Sequence, residues 1–220
     1  MHPCVAILMS DTGGGHRSSA EAIREALERE LESNVRVKII DVFLEYSPYP
    51  FRCFPAWYPK IISRGSEFWG HAFHLSNGFK RTKGLHYAAW PLLRPTIERL
   101  IRDSQADLMV SVHPMLVGPT LRGLKQTHIP FVTVVTDLLT THAFWFDDRA
   151  DLTIVPTETA RIRALECGLD TQRVKVVGIP ISQRFNNNVA SRAELRRELG
   201  WSSDLYAVLL LGGGDGIGPL

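Results

Sequence analysis

The sequence of 220 residues predicts an α/β protein built on a doubly wound parallel sheet. Short apolar runs without charged residues recur along the chain, as expected for strands that are buried on both faces. Segments with helical periodicity separate these runs, and polar residues follow several of them. We expect strands at 4–9, 35–42, 106–112, 129–135, 152–155 and 174–180. Between them we expect helices that include 92–103, 117–125 and 158–167.

A glycine-rich turn follows the first predicted strand. Residues 13–15 are three consecutive glycines, and His16 follows them directly. Ser18 and Glu21 have the spacing of a capping box, which predicts that a helix begins at Ser18. Because the free N–H groups and the dipole of that helix point at the turn, the sequence predicts an anion site. The turn matches neither the P-loop nor the dinucleotide fingerprint, so a tight turn without ligand, capped or packed by His16, is the alternative.

The segment 43–95 is rich in aromatic and basic residues. It holds thirteen of the twenty aromatic residues, and seven Arg and Lys against two acidic residues give it a local charge of +5. Four prolines divide its first part into predicted loops or short helices. This composition is typical of a surface that contacts anionic lipid headgroups. Binding of single-stranded nucleic acid and packing inside the core are the alternatives. We favour the membrane surface and expect no nucleic-acid partner.

Polar residues follow the predicted strands at their carboxyl ends. Ser10 and Asp11 come after the first strand, His113 after the third, Asp137 after the fourth and Thr157 after the fifth. The carboxyl ends of parallel strands lie along one edge of a sheet, where open α/β folds bind ligands. The sequence therefore predicts a single cleft at this edge.

The last part of the chain predicts the beginning of a second unit. Residues 183–190 are polar and rich in asparagine, which predicts a linker, and 191–194 carry a second capping box. A buried strand at 207–211 then runs into another glycine-rich turn. We expect one α/β domain over 1–182 and the start of a second over 191–220, as in the N-terminal part of a longer protein.

Composition and cysteine spacing exclude several classes of protein. The net charge is only +2, so the whole chain is not an obvious binder of polyanions. Cys4, Cys53 and Cys167 are widely spaced and odd in number, which indicates a reducing compartment and predicts neither a disulfide framework nor a metal site. The sequence shows no signal-peptide pattern and no apolar run of membrane-spanning length, so we expect neither feature.

Several sequence strings together resemble the monogalactosyldiacylglycerol synthases and the related processive diacylglycerol glucosyltransferases. The strings lie at 10–23, 46–51, 111–114, 133–138, 145–146 and 211–219. The resemblance covers essentially the whole chain and is specific as a set. The glycine–histidine string alone is also similar to the bacterial lipid-linked N-acetylglucosaminyltransferase of peptidoglycan synthesis. Two α/β domains that each open with a glycine-rich turn resemble the glycosyltransferase B architecture.

The resemblance implies transfer of a hexose, with galactose favoured, from UDP-galactose or UDP-glucose to diacylglycerol. It implies that residues 1–182 take the lipid and meet an anionic membrane as a peripheral protein on the cytoplasmic face, and that 191–220 begin the nucleotide-sugar domain. It implies no cofactor and no metal. The alternatives are a non-catalytic module that binds lipid or anions, and an N-acetylglucosaminyltransferase that acts on a lipid-linked peptidoglycan precursor.

Hexose transfer needs a base within reach of the acceptor hydroxyl, and a histidine suits this task near neutral pH. We predict His16 as the base, or as a ligand to the diphosphate if protonated, with Asp137 as the rival base. The residues predicted to bind the donor diphosphate are Gly13, Gly14, Gly15, Gly213 and Gly214. The residues predicted on the acceptor and lipid side are Pro50, Phe51, Trp57, Tyr58, Trp69, His113, His142 and Trp145.

Overall fold

The computed structural model describes residues 2–12, 14–58, 66–185 and 190–210. Its strands are β1 (Cys4–Met9), β2 (Arg36–Asp41), β3 (Leu108–Ser111), β4 (Phe131–Val134), β5 (Leu152–Val155) and β6 (Val174–Val176). They form one parallel sheet in the order β2-β1-β3-β4-β5-β6, which confirms the predicted doubly wound α/β class. The strand order changes direction between β1 and β3, and this arrangement opens a crevice at their carboxyl ends.

Helices cover both faces of the sheet. They are α1 (Gly14–Leu31), α2 (Val42–Tyr46), α3 (Ser66–Ser76), α4 (Phe79–Ser104), α5 (Pro114–Gly123), α6 (Glu158–Glu166) and α7 (Arg192–Glu198), and residues 54–58 are also helical. Short 3₁₀ turns lie at Glu32–Asn34, Phe51–Cys53, Leu124–Gln126, Ala143–Trp145, Thr171–Arg173 and Gln183–Phe185.

The central strand β1 divides its side chains between two hydrophobic cores. Ile7 and Met9 pack on the face covered by α1, together with the buried Ala20. Ala6 and Leu8 point to the opposite face, where α4, α5 and α6 supply most of the partners. Successive residues of a strand point to opposite faces, so an uninterrupted apolar run is what a strand buried on both sides requires.

Helix α1 begins four residues earlier than predicted. Gly14 and Gly15 already belong to its first turn, so Ser18 lies inside the helix rather than at its N-cap. The capping-box spacing of Ser18 and Glu21 was therefore misleading at this position. As a consequence, the glycines themselves form the N-terminal end of the helix, and His16 projects from its first turn.

Helix α4 is much longer than the predicted 92–103. It spans 26 residues and contains Pro91 and Pro95, each of which removes one backbone N–H from the helix. Packing against α5 compensates for this loss: Ile97 is buried, and a Cβ at Gly123 would come within 2.5 Å of Ile97 Cγ2. The glycine thus allows the two helices to approach closely, and tertiary packing extends the helix through prolines that the sequence rules treat as breaks.

The C-terminal segment differs from its prediction in one respect. The capping box of Ser191 and Glu194 is confirmed at the start of α7. Residues 207–210, however, belong to no strand and are exposed, so the predicted buried strand is wrong for these residues. A single strand without neighbours has no ladder partners to stabilise it. The predicted linker lies partly outside the described residues.

Candidate active site

The predicted cleft lies where β1 and β3 end. His16 comes from the first turn of α1, His113 follows β3, and Asp137 follows β4. The rings of His16 and His113 lie with their centroids 4.5 Å apart. The structure therefore brings together polar residues that lie far apart in the sequence.

The hydrogen bonds of His16 determine which of its ring nitrogens carries the proton. His16 Nδ1 lies 2.7 Å from the main-chain oxygen of Val112. A carbonyl oxygen can only accept, so Nδ1 donates and Nε2 of the neutral ring is left as the proton acceptor. Burial lowers the pKa of His16 below its ordinary value, although the Val112 bond and the charge of Asp137 oppose this shift. His16 is therefore neutral near pH 7, as a general base requires.

Asp137 is held by a tryptophan. The indole N–H of Trp145 donates to Asp137 Oδ2 at 2.7 Å. Burial raises the pKa of Asp137, and the Trp145 hydrogen bond and the charge of His16 act in the opposite direction. Trp145 itself has no exposed surface. Its prediction as an acceptor-side residue is corrected accordingly: the side chain supports Asp137 from inside the core and does not offer a surface to a ligand.

His113 is buried and contacts a threonine beside the glycine turn. Its Nε2 lies 3.0 Å from Thr12 Oγ1, and its ring lies 6.0 Å from that of Phe43. Burial, reinforced by the nearby His16, lowers the pKa of His113 well below its ordinary value. A neutral ring at this depth acts as a hydrogen-bonding group and not as a charge.

Two cavities meet at Thr12, His16 and Asp137. The larger is an open cleft of about 970 Å³. It extends along α1 past Gly14 and Gly15 to residues 179–185. Its other charged lining residues are Arg24, Arg184, Glu21, Glu25 and Glu28. The free N–H groups at the start of α1 make this end of the cleft the favourable place for an anion.

The smaller cavity, of about 430 Å³, has mostly apolar walls. Besides the three shared residues, it is lined by Phe54, Tyr58, Ala72, Phe73, Ser76, His113, Pro114, Met115, His142 and Phe144. We call it the apolar pocket. It places His16 at the boundary between an anion-binding end and a hydrophobic chamber.

His142 closes one side of the apolar pocket. Its Nδ1 accepts from the Phe144 N–H at 3.1 Å, so its Nε2 carries the proton and donates to Ser76 Oγ at 3.2 Å. Ser76 in turn donates to the Ala72 carbonyl. Because the histidine donates to the serine and does not accept from it, this pair is not an activated nucleophile.

The other predicted residues either line one of the two cavities, are exposed outside both, or lie outside the described part of the chain. Gly14 and Gly15 line the cleft, and Tyr58 lines the apolar pocket. Pro50, Phe51 and Trp57 are exposed outside both cavities, on the segment that follows α2. Three glycines lie outside the described residues, as does the side chain of one tryptophan on α3: Gly13, Gly213, Gly214 and Trp69.

Sequence reasoning missed several residues that the structure places in the site. Thr12 and Thr136 each adjoin a predicted residue, and their position after a strand was the available signal. Phe54, Phe73 and Phe144 line the apolar pocket, but nothing in the sequence distinguished them from the other aromatic residues.

Within the described ranges, no three His, Cys, Asp or Glu side chains are grouped as metal ligands would be. None of the helices described is both long and apolar enough to cross a membrane.

Comparison with known proteins gives a consistent match. The family model described as monogalactosyldiacylglycerol (MGDG) synthase matches residues 16–181. The chain is 37% identical over 220 residues to monogalactosyldiacylglycerol synthase 1, chloroplastic, of Arabidopsis thaliana, with 98% of this chain and 41% of that protein covered. It is 39% identical over 221 residues to synthase 2 of the same plant, with 98% and 47% covered. The chain therefore spans less than half the length of these curated relatives.

Among solved structures, the chain is similar to Anabaena Alr3699/HepE in complex with UDP and glucose. The TM-score is 0.49 at 13% identity, with 90% of this chain and 50% of that chain covered. Because the TM-score and the identity are this low, the fold class is assigned from the parallel sheet of this chain and not from the comparison.

Proposed function

We propose, since this chain belongs to the monogalactosyldiacylglycerol synthase family, that it supplies the acceptor-binding part of a glycosyltransferase that moves galactose from UDP-galactose to diacylglycerol. The family match over residues 16–181 supports the reaction class. The activity is that of the whole protein. The curated relatives are more than twice as long as this chain.

The position of His16 between two unlike cavities is the observation that carries the proposal. Thr12, His16 and Asp137 line both the open cleft and the apolar pocket. Transfer from a nucleotide sugar to a lipid alcohol needs an anion site on one side of the reacting atoms and a hydrophobic site on the other. A base at the shared wall reaches the acceptor hydroxyl while the donor diphosphate stays at the helix end.

The transfer step follows from the hydrogen bonds of His16. The lipid hydroxyl gives its proton to His16 Nε2 while its oxygen forms a bond to the anomeric carbon of the sugar. The bond from that carbon to the UDP oxygen breaks, and its electron pair remains on the diphosphate. The N–H groups at Gly14 and Gly15 stabilise the charge that develops there. The Val112 carbonyl and Asp137 stabilise the imidazolium that forms at His16.

Asp137 is the alternative base. Its position in both cavities would allow a lipid hydroxyl to approach it. One carboxyl oxygen accepts from Trp145, which stabilises the charged form and makes this oxygen a weaker base. His16 Nε2 is free of such a donor among the described residues, so we assign the proton transfer to His16.

The nucleotide side of the proposal concerns the C-terminal end of the chain. In this proposal, residues 191–220 begin the nucleotide-sugar domain of a glycosyltransferase B architecture, 183–190 are the linker and 1–182 the acceptor domain. Gly213 and Gly214 would meet the diphosphate from the far side of the cleft. The second glycine-rich turn in the sequence supports this assignment.

We also propose that the protein works as a peripheral protein on an anionic membrane surface, at the cytoplasmic face. Phe51 and Trp57 are large apolar side chains that stay exposed, and Arg52 between them is exposed as well. Aromatic rings and cationic side chains at one surface favour the headgroup region of a membrane. The names of the plant relatives contain the word chloroplastic, so cell fractionation decides which membrane applies here.

The experiment offers labelled nucleotide sugars to the full-length gene product that carries this sequence. UDP-galactose, UDP-glucose and UDP-N-acetylglucosamine are each supplied with vesicles that contain diacylglycerol or a lipid-linked peptidoglycan precursor. We expect label in the diacylglycerol fraction, with UDP-galactose preferred. Label in the precursor alone would establish the N-acetylglucosaminyltransferase instead, and vesicle binding without any transfer would establish a non-catalytic module.

A further inference from the structure

The pair formed by Thr12 and His113 has a role beyond packing. Thr12 Oγ1 lies 3.0 Å from His113 Nε2 and lines both cavities beside His16. We propose that His113 donates to Thr12 and thereby directs the Thr12 hydroxyl proton at an oxygen of the leaving diphosphate. Thr12 is then a catalytic residue that touches the donor, and His113 is a positioning residue that acts through it. This inference rests on the proposed glycosyl transfer.

The direction of the hydrogen bond follows from the other nitrogen of His113. His113 Nδ1 is buried and has no hydrogen-bond partner among the residues that the structure describes. A proton on Nδ1 would leave a buried N–H without an acceptor, and such orphaned donors are rare in proteins. The neutral ring therefore carries its proton on Nε2, and that N–H donates to Thr12 Oγ1.

The hydroxyl proton of Thr12 is consequently available for a ligand. A threonine hydroxyl has one proton to donate, and its oxygen already accepts from His113. Among the described residues no acceptor takes that proton. The side chain is only partly buried and faces the cleft, so the proton points to space that a ligand can occupy.

The chemistry around Thr12 selects an anionic oxygen as its partner. Thr12 precedes the glycines that open α1, whose free N–H groups and dipole favour negative charge. Transfer builds negative charge on the diphosphate as the sugar leaves. A neutral donor that is fixed before the reaction stabilises that charge without reorganising.

The test compares four variants in the full-length gene product. Thr12→Val keeps the shape and removes the hydroxyl, whereas Thr12→Ser keeps the hydroxyl. His113→Leu removes the ring donor, whereas His113→Gln keeps an N–H group that can reach Thr12. Thr140→Val is the matched control, because Thr140 is exposed and lines neither cavity.

We expect Thr12→Val to lower kcat by about 10- to 100-fold with KM for the lipid unchanged, and Thr12→Ser to stay near the parent. His113→Leu should show a similar loss that His113→Gln largely restores. Thr12→Val combined with His113→Leu should lose no more than either alone, because both remove one interaction. Two results would contradict the proposed role of Thr12 and His113. One is a parental kcat for Thr12→Val, and the other is a loss of kcat in the double variant equal to the product of the two single losses.

UDP binding by calorimetry keeps this inference distinct from the proposed function. We expect Thr12→Val to weaken UDP binding and Thr12→Ser to preserve it, whichever acceptor the protein uses. If the parent binds UDP but transfers no sugar to diacylglycerol, the proposed function fails and the binding comparison still decides the role of Thr12. Equal UDP affinity in the parent, Thr12→Ser and Thr12→Val would overturn the contact to the diphosphate.

Discussion

Trp145 donates its indole N–H to Asp137 Oδ2 across 2.7 Å while its own ring has no exposed surface. The ring centroid also lies 6.1 Å from that of His16. One buried side chain thus positions the carboxylate of the site and packs beside its histidine. The arrangement connects the hydrophobic core of the sheet directly to the two side chains proposed as bases.

Replacing Trp145 by Phe should destabilise the protein by about 1.5–3 kcal/mol near neutral pH, because it removes a hydrogen bond to a charged group. The same bond opposes the rise in the pKa of Asp137, so the pKa should rise further in Trp145→Phe. The difference in unfolding free energy between the parent and Trp145→Phe should become smaller as the pH falls below the pKa of Asp137, because the carboxyl is then neutral in both proteins. Urea unfolding across this pH range measures the deficit.

Trp201→Phe is the matched control, because Trp201 is half exposed and lies on the C-terminal segment. It should leave the unfolding free energy almost unchanged. A Trp145→Phe protein with parental stability at every pH would show that the hydrogen bond to Asp137 contributes nothing.

Gly118 on α5 should not tolerate a side chain. A Cβ at this position would overlap the imidazole of His86, which packs against it from α4. We expect Gly118→Ala to destabilise the fold by about 1–3 kcal/mol, since His86 is held by its buried surroundings and must move. Gly84→Ala on α4 is the control: its Cβ meets no atom of the described residues within 4 Å, and alanine favours the helix. A melting temperature for Gly118→Ala that is higher than that for Gly84→Ala would contradict this packing.

Acid should weaken the fold through His86. Burial lowers the pKa of His86 to about 4 from an ordinary value of 6.5. The unfolded chain therefore binds the proton more readily, and stability present above pH 6.5 is lost as the pH falls toward 4. His86→Asn should reduce the stability difference between pH 7 and pH 4.5 by at most about 3 kcal/mol. His128→Asn, at an exposed histidine, is the matched control in the same urea series.

Membrane attachment should depend on the exposed aromatic residues after α2. We expect Phe51→Ser with Trp57→Ser to weaken binding to anionic vesicles by about 10-fold, because both apolar side chains are exposed and available for burial. Raising the salt concentration should weaken the parent as well, since basic residues share the surface. Trp201→Ser is the control in co-sedimentation. If it reduced binding as strongly as the double variant, the contact surface would lie elsewhere.

The sequence was sufficient to predict the sheet and the edge at which the candidate site lies. Uninterrupted apolar runs have few solutions other than buried parallel strands, and residues after such strands meet at one edge. The placement of His16 and Asp137 in one site follows from that rule. Neither the capping-box spacing at Ser18 nor the helical periodicity at 92–103 gave the correct helix bounds, because packing determined both.

Side-chain burial was the part that sequence patterns could not supply. Trp145 lies in the loop between β4 and β5, and the sequence predicted it on the acceptor and lipid side. Its complete burial depends on helices far away in the sequence. The apolar pocket likewise combines Phe54, Phe73 and Phe144 from three separate segments, and no local pattern records that they meet.

The most direct test of the account replaces His16 by Asn in the full-length gene product and measures galactose transfer to diacylglycerol in vesicles. Asparagine keeps an N–H group that can donate to the Val112 carbonyl but has no counterpart of Nε2. Turnover should fall by about 10²- to 10⁴-fold with UDP affinity retained, while His128→Asn transfers normally. Parental turnover in the His16→Asn protein would contradict the assignment of His16 as the base.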